Sequence, residues 1–185
     1  MQYLSTSKAL KFVESVKVLV GTVTVIGAGV IGGAVVKCLI KSRIADNVIA
    51  TRRDINALIP LADLGANISD NNIVAANQAE IVFLCVKPND FENVIKEIKD
   101  ELKGKLVIST AAVIPLALLE KTIPEARFVR TMPNIAAMVG ESFTAYSMGV
   151  TTVLEDKEVT EKLLKTMGTC MEVEEKNMDA VTGLS

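Results

Sequence analysis

Short apolar runs alternate along the chain with longer stretches whose apolar residues return every three or four positions. The runs Thr22–Ile26, Val48–Thr51, Ile81–Val86, Leu106–Thr110 and Phe128–Arg130 lack the in/out alternation of a half-solvated sheet and predict strands buried on both faces. Between them, Val30–Ile40, Phe91–Leu102 and Leu116–Lys121 predict helices. This alternation predicts an α/β fold: a doubly wound, Rossmann-type, mostly parallel sheet with helices on both faces. Two further strands, Thr144–Met148 and Cys170–Val173, flank an amphipathic helix running from about Glu155 to Met167, which Gly168 is placed to end.

Residues 1–20 precede this pattern and form an N-terminal extension. Ala9, Leu10, Phe12, Val13, Val16 and Leu19 recur at helical spacing, with Lys8, Lys11, Glu14 and Ser15 on the other side, which predicts a short amphipathic helix. Glu14 and Lys17 interrupt the apolar run, so it predicts neither a membrane span nor the core of a signal peptide.

Composition narrows the function classes. A chain of 185 residues, 50% hydrophobic, buries one substantial core and leaves no room for a second full domain. A formal charge of -2 without any basic run argues against nucleic acid as a partner, because neutralising phosphates needs clustered Lys and Arg. The three cysteines, Cys38, Cys85 and Cys170, are odd in number and embedded among apolar residues; they predict buried thiols of a cytoplasmic protein and no metal site. Histidine is absent, which removes the commonest near-neutral acid/base, so any chemistry must lean on a cofactor.

The motif that points to a cofactor is Gly27-Ala28-Gly29-Val30-Ile31-Gly32, placed between the first strand and the first helix. Gly27 suits a tight turn, Gly29 lets a backbone approach a pyrophosphate, and Gly32 allows close helix–strand packing, while the first-turn N–H groups face the phosphates. The next strand ends in Thr51-Arg52-Arg53, with no carboxylate until Asp54. Guanidinium and hydroxyl groups there suit the 2′-phosphate of NADP(H), the preferred cofactor on this reading, with NAD(H) as the second. Val86-Lys87-Pro88 and Thr110-Ala111-Ala112 end two more strands, where open α/β sheets bind ligands, and the small alanines let a flat ring approach the backbone. Glu174-Glu175 and the run Glu155-Asp156-Lys157-Glu158 read as solvated faces or helix-start charges, and Met132 and Met138 as core filling.

Taken together these residues resemble the pyrroline-5-carboxylate reductase family from about residue 21 to the last. The motifs that carry the resemblance are Gly27–Ala34, Phe83–Pro88, Ser109–Ala112, Val129–Asn134, Val139–Glu141, Glu172–Glu175 and Asp179–Ser185. Val113 stands where the family usually has glycine, and Val30 where it usually has Asn or Gln.

The resemblance implies NAD(P)H-dependent reduction of the imine of 1-pyrroline-5-carboxylate to L-proline. It further implies that Gly27 to Ile31 hold the pyrophosphate, and that Thr51 and Arg52 lie at the adenosine ribose. Asn72 would contact the nucleotide from the loop before the Lys87 strand. Val86–Pro88 and Thr110–Ala112 would flank the cofactor toward its nicotinamide, and Pro133 and Asn134 would form part of the wall near the substrate. Family members continue beyond the Leu184-Ser185 point into a helical domain that intertwines subunits as a homodimer or higher oligomer and completes the substrate site. On this division residues 21–175 are the nucleotide-binding domain and 176–185 begin the helical one, and the catalytic groups are expected outside the sequence given. Two other readings share the glycine motif: a β-hydroxyacid-type dehydrogenase and a non-catalytic NADP-binding or redox-sensing module.

Overall fold

The structure is a computed structural model, and it describes residues 20–184. The amphipathic helix expected within residues 1–20 lies outside the described residues, apart from Val20.

The chain begins with β1 (Val20–Ile26), which runs through the glycine turn into α1 (Val30–Ser42) and then β2 (Ala45–Thr51). A 3-10 turn (Ile55–Leu58) leads to the one-turn helix α2 (Ile59–Ala62), a short strand β3 (Asn67–Ser69) and α3 (Asn72–Gln78). The second half contains β4 (Ile81–Leu84), α4 (Pro88–Ile98), β5 (Leu106–Ser109), α5 (Leu116–Thr122) and β6 (Arg127–Met132). A 3-10 turn (Ile135–Val139) precedes β7 (Ser142–Met148), and α6 (Leu154–Lys165) and β8 (Gly168–Glu172) follow. A last 3-10 turn (Glu175–Asn177) enters α7 (Met178–Leu184).

Among the described residues the strands form one sheet in the order β3-β2-β1-β4-β5-β6-β7-β8. Every neighbouring pair is parallel except β6 and β7, which are antiparallel. The doubly wound expectation holds, and the apolar runs are buried on both faces as their lack of alternation requires. Val23, Val25, Phe83, Ile108, Val129 and Tyr146 face one layer, packed with Val36 and Leu39 of α1 and Leu163 of α6. Ile26, Val82, Leu84, Val107 and Phe128 face the other, with Ala75 of α3, Phe91 and Ile95 of α4, and Leu119 of α5. A smaller cluster of Met132, Ala145 and Met178 seats α7 on that second face, so residues 178–184 pack on the sheet.

Several expected bounds shift. The strand expected to reach Val86 stops at Leu84, because Pro88 begins α4 and the intervening residues turn toward it. Asn72, expected in a loop, is the first residue of α3, where the Asn71 side chain caps the helix by accepting from the Val74 N–H at 3.0 Å. The helix expected to run to Met167, with Gly168 ending it, stops at Lys165; Gly168, at φ 141, opens β8 at a place where a Cβ would collide with the Ser142 carbonyl oxygen, so glycine is required there. Met132 is core as expected, whereas Met138 is exposed.

Candidate functional site

The sheet order reverses at β1 and β4: β2 lies on one side of β1, and β4 to β6 continue on the other. Connections leaving in opposite directions open a crevice above the carboxyl ends of these strands. A groove of about 520 Å³ occupies this place, bounded by the glycine turn, the end of β2, the start of α3, the loop after β4 and one face of α4.

The glycine turn is built by backbone constraints. Gly27 takes φ 87, a region that disfavours side chains, and its N–H donates to the Thr51 carbonyl at 3.2 Å, with Ala28 donating to the same oxygen at 2.8 Å. These two bonds tie the turn to the end of β2. A Cβ on Gly32 would stand 2.5 Å from the Gly27 carbonyl oxygen, so α1 can approach β1 this closely only with glycine there. A Cβ on Gly29 would meet nothing within 4 Å, which makes its face of the turn open space. No side chain caps the first turn of α1, so its leading N–H groups remain available to an acceptor in the groove.

The opposite wall is polar. Thr51, fully buried at the end of β2, donates its hydroxyl to the Asn72 side-chain oxygen at 2.6 Å, and the Asn72 amide donates to Glu97 at 3.1 Å. This chain of two bonds joins β2, α3 and α4. Arg53 pairs with Asp90 across the groove at 3.2 Å, while nothing among the described residues pairs with the exposed Arg52 guanidinium. Asp54, the first carboxylate beyond the arginines, accepts from the Asn56 N–H at 3.2 Å and caps the following turn. At the base, Cys85 packs under Gly32, and burial pushes its thiol up to about 12, against a small lowering by the Thr110 hydroxyl. Such a thiol stays protonated and is no nucleophile.

Residues 22–113 match the family described as NADP oxidoreductase, coenzyme F420-dependent. The pyrroline-5-carboxylate reductase of Methanosarcina acetivorans is 39% identical over 165 residues, which are 86% of this chain and 61% of that protein. The chain is a homologue of the pyrroline-5-carboxylate reductases. The solved reductase from Coxiella burnetii superposes with a TM-score of 0.83 at 29% identity, covering 88% of this chain and 63% of that one. The Plasmodium falciparum reductase, solved with NADP bound, shares the fold with a TM-score of 0.78 at 24% identity, over 89% of this chain and 62% of its own. The chain thus spans about three-fifths of the length of these reductases.

Of the residues that the reductase motifs single out, Gly27, Gly29, Thr51, Arg52, Arg53, Asn72, Val86 and Lys87 line the one groove. Ala28, Val30, Ile31 and Gly32 belong to the same turn and first helical residues, with Ala28 buried beneath it and Val30 exposed. Pro88 is the exposed first residue of α4. Thr110 adjoins the groove through Leu84, whose carbonyl accepts from its N–H at 2.9 Å, and Ala111 is buried beside it. Pro133 is buried, and Asn134 turns its side chain to cap the 3-10 turn by accepting from the Ala136 N–H at 3.2 Å.

Asp90, Asn93, Val94 and Glu97 of α4 also line the groove and were not among the expected residues. Their i, i+3, i+4, i+7 spacing, opposite the buried Phe91, Ile95 and Ile98, is the signal that marks them as one face. Of the acidic groups read as solvated faces or helix-start charges, Asp156 is a helix-start charge as expected, and both it and Glu175 hold partners. Glu175 accepts from the Leu116 N–H at 2.6 Å, and Asp156 is buried against Arg127 at 2.9 Å. Among the described residues no helix is long and apolar enough to cross a membrane, and no cluster could hold a metal ion.

Proposed function

We propose that this chain is the NADP(H)-binding part of a pyrroline-5-carboxylate reductase. The observation that carries the proposal is the groove at the sheet's reversal point, with its open glycine turn on one side and an unpaired arginine on the other, in a chain 39% identical to such a reductase. The turn at Gly27–Gly29 and the uncapped N–H groups of α1 would receive the pyrophosphate. Thr51 and Arg52 would meet the adenosine ribose and its 2′-phosphate, with Arg53, which spends one donor on Asp90, beside them. Asn72, held between Thr51 and Glu97, would position the nucleotide from the side. Val86–Pro88 and Thr110–Ala112 would form the nicotinamide end, with Pro133 and Asn134 toward the substrate.

Bound NADPH supplies a hydride to the imine carbon of 1-pyrroline-5-carboxylate. The ring nitrogen takes up one proton, and the product is L-proline. The chain's own part is to bind and orient, and a protonated cyclic imine carries its proton in with it, which suits a sequence without histidine. The helical domain of the family, and the homodimer or higher oligomer it builds, would complete the substrate site.

Calorimetric titration with NADPH and NADH tests the reading. NADPH is expected to bind more tightly than NADH, and Arg52→Ala should weaken NADPH about tenfold or more while leaving NADH nearly unchanged, because only NADPH carries the extra phosphate. Equal losses for both cofactors would remove Arg52 from the phosphate site. Failure of the wild-type chain to bind either would refute the cofactor assignment.

A further inference from the structure

Arg130 is a charged residue in the sheet, 3% exposed, and the groove just described does not use it. It projects from β6 on the same face as Phe128 and Met132, pointing toward α5 and α7. Its guanidinium donates to the Ala112 carbonyl through Nη2, to Asp179 Oδ1 at 3.0 Å through the same nitrogen, and to Glu175 Oε1 at 3.4 Å through Nη1. Its Nε finds no hydrogen-bond partner among the described residues. The Glu175 oxygen also accepts the Leu116 N–H at 2.6 Å, at the start of α5.

A buried arginine with one orphaned donor is a poor way to gain stability, since an apolar side chain of similar volume does as well or better. What the arrangement supplies is connection. Beyond Thr110 the loop to α5 has local bonds, Ala111 N–H to the Ser109 hydroxyl and Ile114 N–H to the Ala111 carbonyl. Among the described residues, the two hydrogen bonds that reach from residues 112–116 to distant chain, Ala112 to Arg130 and Leu116 to Glu175, both end on the Arg130–Glu175 pair. Asp179, in the first turn of α7, joins the same guanidinium.

We propose that Arg130 is a positioning residue that locks the 111–116 loop to the segment carrying Glu175 and Asp179, so that the placement of this loop depends on how that segment is seated. The functional weight of the lock rests on the reading above, in which Thr110–Ala112 flank the nicotinamide end. The loop and the segment from 175 onward then move as one body.

Amide hydrogen exchange on the 185-residue chain without nucleotide tests the lock. Glu175→Ala should speed exchange at the amides of residues 112–114 and of Leu116 at least tenfold while leaving the glycine turn and β4 at wild-type rates. Asp179→Ala should speed the same amides by a smaller factor, about threefold. Glu175→Gln keeps an acceptor oxygen for both donors and should restore rates to within about threefold of wild type. Arg130→Met should reproduce the Glu175→Ala pattern, and Glu175→Ala decides the matter if Arg130→Met does not fold. Unchanged exchange at these amides in Glu175→Ala would overturn the proposal, as would an equal acceleration throughout the sheet, which would mark a general loss of stability. NADPH added to the wild type should slow exchange at 110–112, and Glu175→Ala should lose that protection while keeping it at Gly29–Ile31. Absence of any NADPH protection in the wild type would defeat the cofactor reading alone, because exchange without nucleotide still decides the lock.

Discussion

The glycines of the turn do separate physical jobs, and single substitutions should separate them. A Cβ at Gly32 collides with the backbone oxygen of Gly27 at 2.5 Å, and neither partner is a flexible side chain. Gly32→Ala should therefore cost about 1–3 kcal/mol of stability, measured as a lower midpoint in denaturant unfolding. A Cβ at Gly29 meets nothing within 4 Å, so Gly29→Ala should cost less stability than Gly32→Ala, chiefly as a poorer N-cap for α1, and yet weaken NADPH binding by filling the approach to the pyrophosphate. If Gly29→Ala bound NADPH as the wild type does, the turn would not be the phosphate site. Cys85 makes a second test at this scale. With its thiol pushed up to about 12 by burial, it should hold roughly a thousandfold less thiolate at pH 8 than an ordinary cysteine near 9, and alkylation followed by mass spectrometry should find it correspondingly slow. The sign is fixed by the raised value: reactivity rises only as pH climbs toward 12, not on acidification. The glycine spacing was legible in the sequence because it answers to constraints within a few residues. The apolar surroundings of Cys85 were legible too, but not the particular groups against it, Gly32 of α1 and Thr110 just beyond β5, which lie far off in sequence.

At the scale of elements, the strongly periodic and continuously apolar segments were readable, and the short ones were not. β3 has three residues at the sheet edge, and α2 has one turn, so neither offers enough positions for a period to show. α3 opens on consecutive asparagines that look like loop chemistry, but Asn71 is its cap and Asn72 its first residue. The groove-facing side of α4 is polar, and in sequence a polar face of an amphipathic helix cannot be told from one that meets only water. Asp156 is the helix-start charge that its run suggests, but the distant partner that buries it was not legible. Its carboxylate accepts from the Val153 N–H at 3.0 Å, which caps α6, and holds the Arg127 side chain, which in turn reaches the Gly104 carbonyl at 2.8 Å. The Asp156 side chain is 8% exposed and that of Arg127 33%, so the pair is only partly screened. Asp156→Ala should cost about 2–4 kcal/mol, combining a lost cap with a cation left without its partner. Arg127→Ala alone, and the double variant, complete a thermodynamic cycle. A coupling energy near zero would show that the cap, and not the ion pair, holds α6 in place.

For the molecule as a whole, the reversal of strand order at β1 and β4 collects contributions from segments up to about 70 residues apart, Gly27 at one extreme and Glu97 at the other, around one groove. None of β1, β2, α3 or α4 contains the site alone, so a ligand spanning it should stiffen the assembly and report on the fold as well as on binding. At NADPH a hundredfold above its dissociation constant, linkage stabilises the folded state by about 2.7 kcal/mol, which for a chain of this size corresponds to a rise of roughly 5–10 °C in unfolding temperature. NADH at the same concentration should give a smaller rise, by the ratio of affinities that Arg52 sets. Gly29→Ala should start nearer the wild-type temperature and lose most of the shift, whereas Gly32→Ala should start lower and keep part of it. That pattern arises only if the open side of the turn is where the nucleotide sits and the closed side is where α1 meets β1; equal shifts in both variants would place the bound nucleotide elsewhere on the sheet.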